Sequence, residues 1–348
     1  MNEVAKFEMK LSIIIPYYNA DKWVGRMLDS LLNQNMATSE YEIIVVDDGS
    51  KEEPKTLMEY VADHDQIKYI HQENTGPGGA RNTGLNVAQG EYVLFCDSDD
   101  YVVENVLAKL YETAHSRQLD MLFYDFCYIN DDKIGTMSVK RTGRIEEYSS
   151  GKDYFASLDK GIIHTSVNRF FIKMEFLKRY KLTFPVYWIM NEDSSFFVDA
   201  VMAAGPVASM DMAIYYYVQN PQSLIHQAGR VQQAERFCGN MLLFVRKLTD
   251  ILNNEEMLET MPPGCVNNLA RLRNHKAYVI LVTGCKYLPP TKTSQYVSQL
   301  RALQAYPKPF GCHKWQKRFL LSSFGMKVMN NFYNIKRASW RRLIKIHA

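Results

Sequence analysis

Four short clusters in this chain combine residue types that can do chemistry. Asp97-Ser98-Asp99-Asp100 closes an apolar run. Where a strand ends and the chain turns, two carboxylates two residues apart can converge on one cation. Mn²⁺ and Mg²⁺ favour oxygen ligands, and Mg²⁺ usually takes one or two carboxylates plus substrate phosphates. The same residues suit a second role, with Asp99 or Asp100 capping a following helix. Asp47-Asp48-Gly49-Ser50 also reads two ways. A carboxylate there can accept from a base N–H or ribose hydroxyls, or close an Asx-type turn with Gly49 left-handed.

Gly76-Pro77-Gly78-Gly79-Ala80-Arg81-Asn82 sets glycines and an arginine at a predicted helix start. Free N–H groups and the helix dipole suit an anion there. The pattern is neither G-x-G-x-x-G nor a P-loop, so a dinucleotide fold or P-loop ATPase is unsupported. Glu192-Asp193 precedes Phe196-Phe197. A carboxylate beside apolar residues is partly desolvated, which raises its pKa and suits a general base. A helix N-cap is the other reading. His164, His226 and His275 are isolated and read as structural, and no Ser-His-Asp or Cys-His arrangement emerges from spacing.

The elements that must position these clusters follow from hydrophobic pattern. Segment 11–16 (LSIIIP) is a continuous apolar run, as in a strand buried on both faces. Asp21 then caps a helix whose stripe is Val24, Met27, Leu28, Leu31 and Leu32. Strands are expected at 42–46, 67–71, 91–96 and 121–128, with helices at 54–62, 80–88 and 103–115. This alternation requires a mostly parallel sheet with helices on both faces. Ligands bind beyond the carboxyl ends of such strands. The polar clusters at 16–19, 47–50 and 97–100 fall there. After about residue 150 the pattern loosens. A helix to Ala204 and a strand at 213–218 precede a helical region from about Val231.

Composition bounds the rest. The chain has 348 residues, 47 % of them hydrophobic and 23 % charged, which excludes a disordered or fibrous protein. Six cysteines without a C-x-x-C pair read as reduced thiols of a cytosol. There is no apolar signal core at the N-terminus, and no run approaches the ~20 residues of a spanning helix. From Thr260 onward there are 16 Lys and Arg and no Asp or Glu. Basic and apolar residues interleave over 314–348, around Trp340, as in a helix lying on an anionic membrane surface. A solvated face packed on the protein is the alternative. Nucleic acid is not expected, since no nucleic-acid motif accompanies the charge.

Taken together, segments 11–34, 41–50, 73–100 and 191–197 resemble inverting family 2 glycosyltransferases of bacterial surface polysaccharide synthesis. Segment 166–177 is similar to the stretch that often precedes the E-D motif in this family. The resemblance implies a GT-A (Rossmann-like) α/β fold. It implies a catalytic domain over 1–230, its nucleotide half about 1–115 and its acceptor half about 116–230. The helical basic region 231–348 would then contact a membrane surface or another copy. The resemblance also implies residue roles. Pro16 and Tyr18 line the uracil site, and Asp48, supported by Asp47, accepts from the uracil N–H. Asn74 and Arg81 contact the nucleotide, Asp97 binds ribose, and Ser98 lies against the nucleotide. Asp99, with Asp97, binds Mn²⁺ or Mg²⁺. Asp193 is the general base, with Glu192 beside it. Val167 and Arg169 stand where Trp and Lys are frequent in the family, on the expected acceptor side.

The expected reaction is metal-dependent transfer from a UDP-sugar to an acceptor hydroxyl of a glycan or lipid-linked glycan. The expected location is the cytoplasm, peripheral on the inner face of the cell membrane. A sugar-nucleotide pyrophosphorylase and an inactive nucleotide-sugar-binding subunit are the alternatives. Oligomeric state stays open.

Overall fold

A computed structural model describes residues 9–129, 142–158, 163–218 and 231–305. The chain divides into two compact units, Met1–Pro221 and Gln222–Ala348. The basic segment 314–348 lies outside the described residues.

The first unit is built on a nine-stranded sheet. Strands β1 (Leu11–Tyr17), β2 (Tyr41–Asp47), β3 (Ile67–His71) and β4 (Tyr92–Phe95) are all parallel, in the order β3-β2-β1-β4. β1, β2 and β4 are buried along almost their whole length, which is why their sequences are continuously apolar. Beyond β4 the order continues through β8 (Phe170–Lys173), β6 (Met121–Ile129), β9 (Val207–Val218) and β5 (Tyr101–Val102). β8 runs antiparallel to β4 and β6, whereas β6 and β9 are parallel. The short β5 and β7 (Ile145–Tyr148) add antiparallel to β9. Most paired residues lie in parallel ladders.

Helices α1 (Asp21–Leu32), α2 (Lys55–Asp63), α3 (Pro77–Val87) and α4 (Leu107–Ser116) follow their strands as the periodicity predicts, with three corrections, the first being that α3 starts at Pro77 and not at residue 80. Asp21 does not cap α1, whose N-cap Ala20 has no side-chain hydrogen bond. Its carboxylate instead accepts from Thr56 N at 3.2 Å and Leu57 N at 3.3 Å, in the first turn of α2. The expected helix at 103–115 starts later, because the sheet claims the preceding backbone. Val102 N donates to Ser30 Oγ, and Val103 N to Ile214 O. Gln34 Oε1 then accepts from Val106 N at 2.9 Å and Leu107 N at 3.2 Å, setting the start of α4. On α3, Gly84 lets the helix lie on β1, since a Cβ there would fall 2.5 Å from Ile14 Cγ2.

Helices α5 (Gly151–Ser157), α6 (Met174–Tyr180) and α7 (Glu192–Ala203) complete the described part of this unit. α7 is anchored by aromatic packing. Phe196 stacks on Phe184 at 3.9 Å between ring centroids and meets Phe95 edge-on at 5.9 Å. Phe197 packs against Phe123 and Phe170.

The second unit contains α8 (Val231–Leu252), α9 (Glu255–Glu259), α10 (Pro263–Tyr287) and α11 (Pro290–Ala302), matching the expected helical region. Ala234, Cys238, Met241, Leu242 and Val245 form one stripe of α8. That stripe shares a core with Ala277, Ile280, Leu281 and Cys285 of α10 and Leu300 of α11. Among the described residues no helix is long and apolar enough to cross a membrane.

Candidate active site

The loops after β1 and β2 are tied together at their carboxyl ends. Asn19 N donates to Ser50 Oγ at 2.8 Å, and Lys51 N to Asn19 Oδ1 at 3.1 Å. Pro16 is half-buried at the end of β1, and Tyr18 leaves 46 % of its surface in water. Asp47 forms the turn that its sequence allowed: Oδ1 accepts from Ser50 N at 2.9 Å, and Gly49 is left-handed at φ 78°. Its Oδ2 accepts from Tyr69 Oη and lies 3.2 Å from His71 Nδ1. Burial acts to raise its pKa, but the hydrogen bonds from Ser50, His71 and Tyr69 outweigh it and hold the carboxyl below its usual range.

Asp48 is buried and shapes the next loop. Oδ1 accepts from Gln72 Nε2 at 2.7 Å and Thr75 N at 2.9 Å, and Oδ2 from Gly76 N at 2.8 Å. Asn74 Nδ2 donates to the Asp48 carbonyl. Gly76 has φ 86°, and a Cβ there would lie 2.9 Å from Trp188 O. Gly76 is thus held from one side by Asp48 and covered from the other by the segment before α7, whereas Gly78 and Gly79, expected in the turn, already lie in the first turn of α3. In this structure both oxygens of Asp48 are engaged by the loop. Gln72 and Thr75, which no sequence pattern marked, complete that arrangement.

Arg81, on α3, is the centre of the site. It is only 3 % exposed. Nη2 contacts Asp97 Oδ1 at 2.9 Å, while Nη1 contacts Asp193 Oδ1 at 2.8 Å and Glu192 Oε1 at 3.1 Å. Burial disfavours its charge, but three carboxylates more than offset that and keep the guanidinium protonated. The E-D pair therefore does not cap α7. The N-cap is Asn191, left-handed at φ 68° and without a side-chain cap bond, and the acidic side chains turn to Arg81 instead. Burial, with Glu192 adding to it against Arg81, pushes Asp193 up to about 7. Val167 is buried, and its N–H makes a long 3.5 Å contact with Asp193 Oδ2.

The acidic cluster after β4 is held by β9 rather than by a helix. Asp97 N donates to Tyr215 Oη at 2.9 Å, and that hydroxyl donates to Asp100 Oδ2 at 2.8 Å. Val218 N donates to Asp100 Oδ1 at 2.8 Å. Asp100 is a buried tether, and the helix-cap reading of Asp99 and Asp100 falls with it, since β5 follows directly. Burial raises the carboxyls of both Asp97 and Asp100. Ser98 and Asp99 stand half-buried, with Arg26 donating to the Asp99 carbonyl.

Asp97 and Asp99 are the residues here that could hold a divalent cation. Asp97, Glu192 and Asp193 share one guanidinium, and Asp99 follows two residues after Asp97. Hard oxygen donors in excess of positive charge suit Mn²⁺ or Mg²⁺. Among the described residues no three acidic, His or Cys side chains form a ready-made metal shell. One or two carboxylates with diphosphate oxygens are a common arrangement for Mg²⁺.

Comparison with known proteins agrees with this architecture. Residues 12–181 match the model of glycosyl transferase family 2. Over 237 residues the chain is 31 % identical to a poly(ribitol-phosphate) beta-glucosyltransferase of Bacillus spizizenii, covering 67 % of this chain and 36 % of that protein. It is 32 % identical to the uncharacterized glycosyltransferase EpsJ of Bacillus subtilis over 62 % of each chain. The chain thus spans less than two thirds of the length of either relative. The crystal structure of Staphylococcus aureus TarS 1–349 in complex with UDP matches with a TM-score of 0.66. That match covers 96 % of this chain and 92 % of the other at 24 % identity, a likeness of fold. Residues 12–181 form a glycosyl transferase family 2 domain, and the fold is the GT-A fold that this chain shares with TarS.

Proposed function

We propose that the protein moves a sugar from a UDP-sugar to an acceptor hydroxyl, with inversion at the anomeric carbon. One observation carries this reading: a single buried guanidinium holds Asp97 of the donor motif and Asp193 of the E-D pair. Donor and base chemistry then share one pocket. A TarS structure holding UDP-GlcNAc, at 23 % identity and a TM-score of 0.67, supports a nucleotide-sugar donor.

In this mechanism Pro16 and Tyr18 flank the uracil, and the loop built by Asp47, Asp48 and Asn74 receives it. Asp97 binds the ribose, with Ser98 against the nucleotide. Asp99 and Asp97 would hold Mn²⁺ or Mg²⁺, which when bound offsets negative charge on the diphosphate. Asp193 accepts the proton of the acceptor hydroxyl while that oxygen attacks the anomeric carbon. The bond to the diphosphate oxygen breaks on the opposite face, and UDP leaves with the electron pair. The transition state has oxocarbenium character, and no protein nucleophile is needed. Arg81, expected to contact the nucleotide, instead has both Nη atoms on carboxylates, and with Glu192 it keeps Asp193 oriented.

The acceptor is a glycan or lipid-linked glycan of surface-polymer synthesis, a process to which the name of the Bacillus spizizenii relative also points. Work at the inner membrane face is part of the same proposal. The test titrates UDP, GDP and CDP with and without Mn²⁺ into wild type and Asp99→Ala. Mn²⁺-enhanced UDP binding that the variant loses supports the reading. A folded wild type that binds no nucleotide overturns it.

A further inference from the structure

A row of aromatic side chains leads away from the acidic cluster. β6 and β9 run parallel, with Phe126 opposite Tyr215, Cys127 opposite Tyr216 and Tyr128 opposite Tyr217. Alternate strand residues share a face, so Phe126 and Tyr128 stand on the face that carries Tyr215 and Tyr217. Tyr215 is the residue bonded to both Asp97 and Asp100, and Val218, next to Tyr217, donates to Asp100. Burial, then the negative charge of Asp100, Asp97 and Asp99, holds the Tyr217 phenol above its ordinary value, consistent with that closeness.

From Tyr217 the row continues outward. Its ring meets Tyr128 at 5.5 Å, Tyr128 meets Phe126 at 4.8 Å, and Phe126 meets His164 at 5.3 Å, each pair edge-to-face. The Arg169 guanidinium lies 4.7 Å from the Phe126 ring centre and pairs with Asp125 at 3.3 Å. Tyr128 is 53 % exposed. Two edge-on neighbours therefore hold a large aromatic ring in place while about half of it faces water. Packing does not require that exposure, and a pre-set aromatic surface binds at low entropic cost.

A pyranose has an apolar face of C–H groups that lies flat on an aromatic ring, with hydroxyls at its rim. An acyclic polyol has no such face. We propose that Tyr128, backed by Tyr217 and Phe126, is an acceptor subsite that stacks a sugar ring of the acceptor glycan. This rests on the transferase reading above. It commits the acceptor to a ring-bearing glycan, unlike the poly(ribitol-phosphate) in the name of the Bacillus spizizenii relative.

The experiment is saturation-transfer NMR on the full chain. The probes are methyl β-glucopyranoside and methyl N-acetyl-β-glucosaminide, with ribitol 5-phosphate as the acyclic control. Wild type, Tyr128→Ala and Tyr128→Trp are compared, with melting curves to verify folding and a separate UDP titration of each sample. Saturation of the glycoside ring protons is expected in wild type. It should weaken about fivefold in Tyr128→Ala, the scale of one aromatic contact, and persist in Tyr128→Trp. No glycoside saturation in wild type, equal saturation in Tyr128→Ala, or equally strong saturation of ribitol 5-phosphate overturns the subsite, whether or not UDP binds. Failure of UDP to bind counts against the transferase reading and is read from its own titration.

Discussion

Asp193, the proposed base, is a carboxyl pushed well above its usual range. Burial and Glu192 set it at about 7 while Arg81 keeps it aimed. If Asp193 is the base of the proposed transfer it must be ionised to act, so kcat/KM for sugar transfer should rise with pH through about 7 and level off above. Asp193→Asn should lower turnover by roughly 10²- to 10⁴-fold and leave UDP binding in place. Unchanged turnover would remove Asp193 from the mechanism. The same shift has a consequence for stability. The folded carboxyl holds its proton above the ~3.9 of an unfolded Asp. Its ionisation therefore costs stability as pH rises from about 4 to 7. Asp193→Asn should gain melting temperature relative to wild type at pH 8 and gain little at pH 4, which thermal melts at the two pH values would test. Arg81 has the opposite role. Arg81→Met would leave Asp97, Glu192 and Asp193 without their shared cation, at a cost of about 3–5 kcal/mol in a denaturant titration. Arg81→Lys should recover only part, because an ammonium lacks the planar fork that reaches several carboxylates at once.

At the scale of elements, two packing devices place the chemistry. The first is the aromatic seat of α7. Phe196 lies flat on Phe184, and Phe184 is itself fixed by reciprocal bonds with the Asn82 side chain at 2.8 and 2.9 Å. Phe196→Ala should cost about 3–5 kcal/mol of stability. It should also lower kcat more than it raises KM for the UDP-sugar, because Asp193, the proposed base, sits in the first turn of α7. Equal effects on kcat and KM would separate the seat from the base. The second device is the Asp97–Tyr215–Asp100 chain, which fastens the loop after β4 to β9. Tyr215→Phe would leave Asp100 Oδ2 without its hydroxyl donor. The expected cost is about 1–3 kcal/mol in a melt, with weaker Mn²⁺-dependent UDP binding by calorimetry. A melt loss with unchanged UDP binding would make the chain a fold strut alone.

For the whole molecule, charge is divided along the chain. Acidic groups gather in the unit that carries Asp97 and Asp193, whereas residues 260–348 hold 16 basic side chains and no acidic ones. A basic stretch of this kind is attracted to anionic lipid within a Debye length and is released by salt. The full chain should float with anionic liposomes at low salt and dissociate as salt rises. A variant lacking 314–348 should stay in solution. Equal flotation of both would move membrane contact elsewhere in the protein, and absence of flotation by the full chain would remove it.

Much of this was written in local pattern. The apolar runs at 11–16 and 42–46 predicted the parallel strands almost to the residue, because a strand buried on both faces must be apolar throughout. The acidic clusters fell at strand ends for the same reason, since polar residues interrupt a buried strand only where it leaves the sheet. Local pattern could not choose among the partners of those acidic residues. A carboxylate that caps a helix and one that pairs with a distant arginine look alike in sequence. Asp21 caps α2, 35 residues on, and not its own helix. Glu192 turns to Arg81 across 111 residues, and Asp100 meets Tyr215 across 115. The first strands and their polar ends were determined by sequence because burial and turn chemistry act within a few residues. The ion-pair centre, the tether of the acidic loop and the exposed aromatic row were decided by the tertiary structure, because only folding brings those groups within reach.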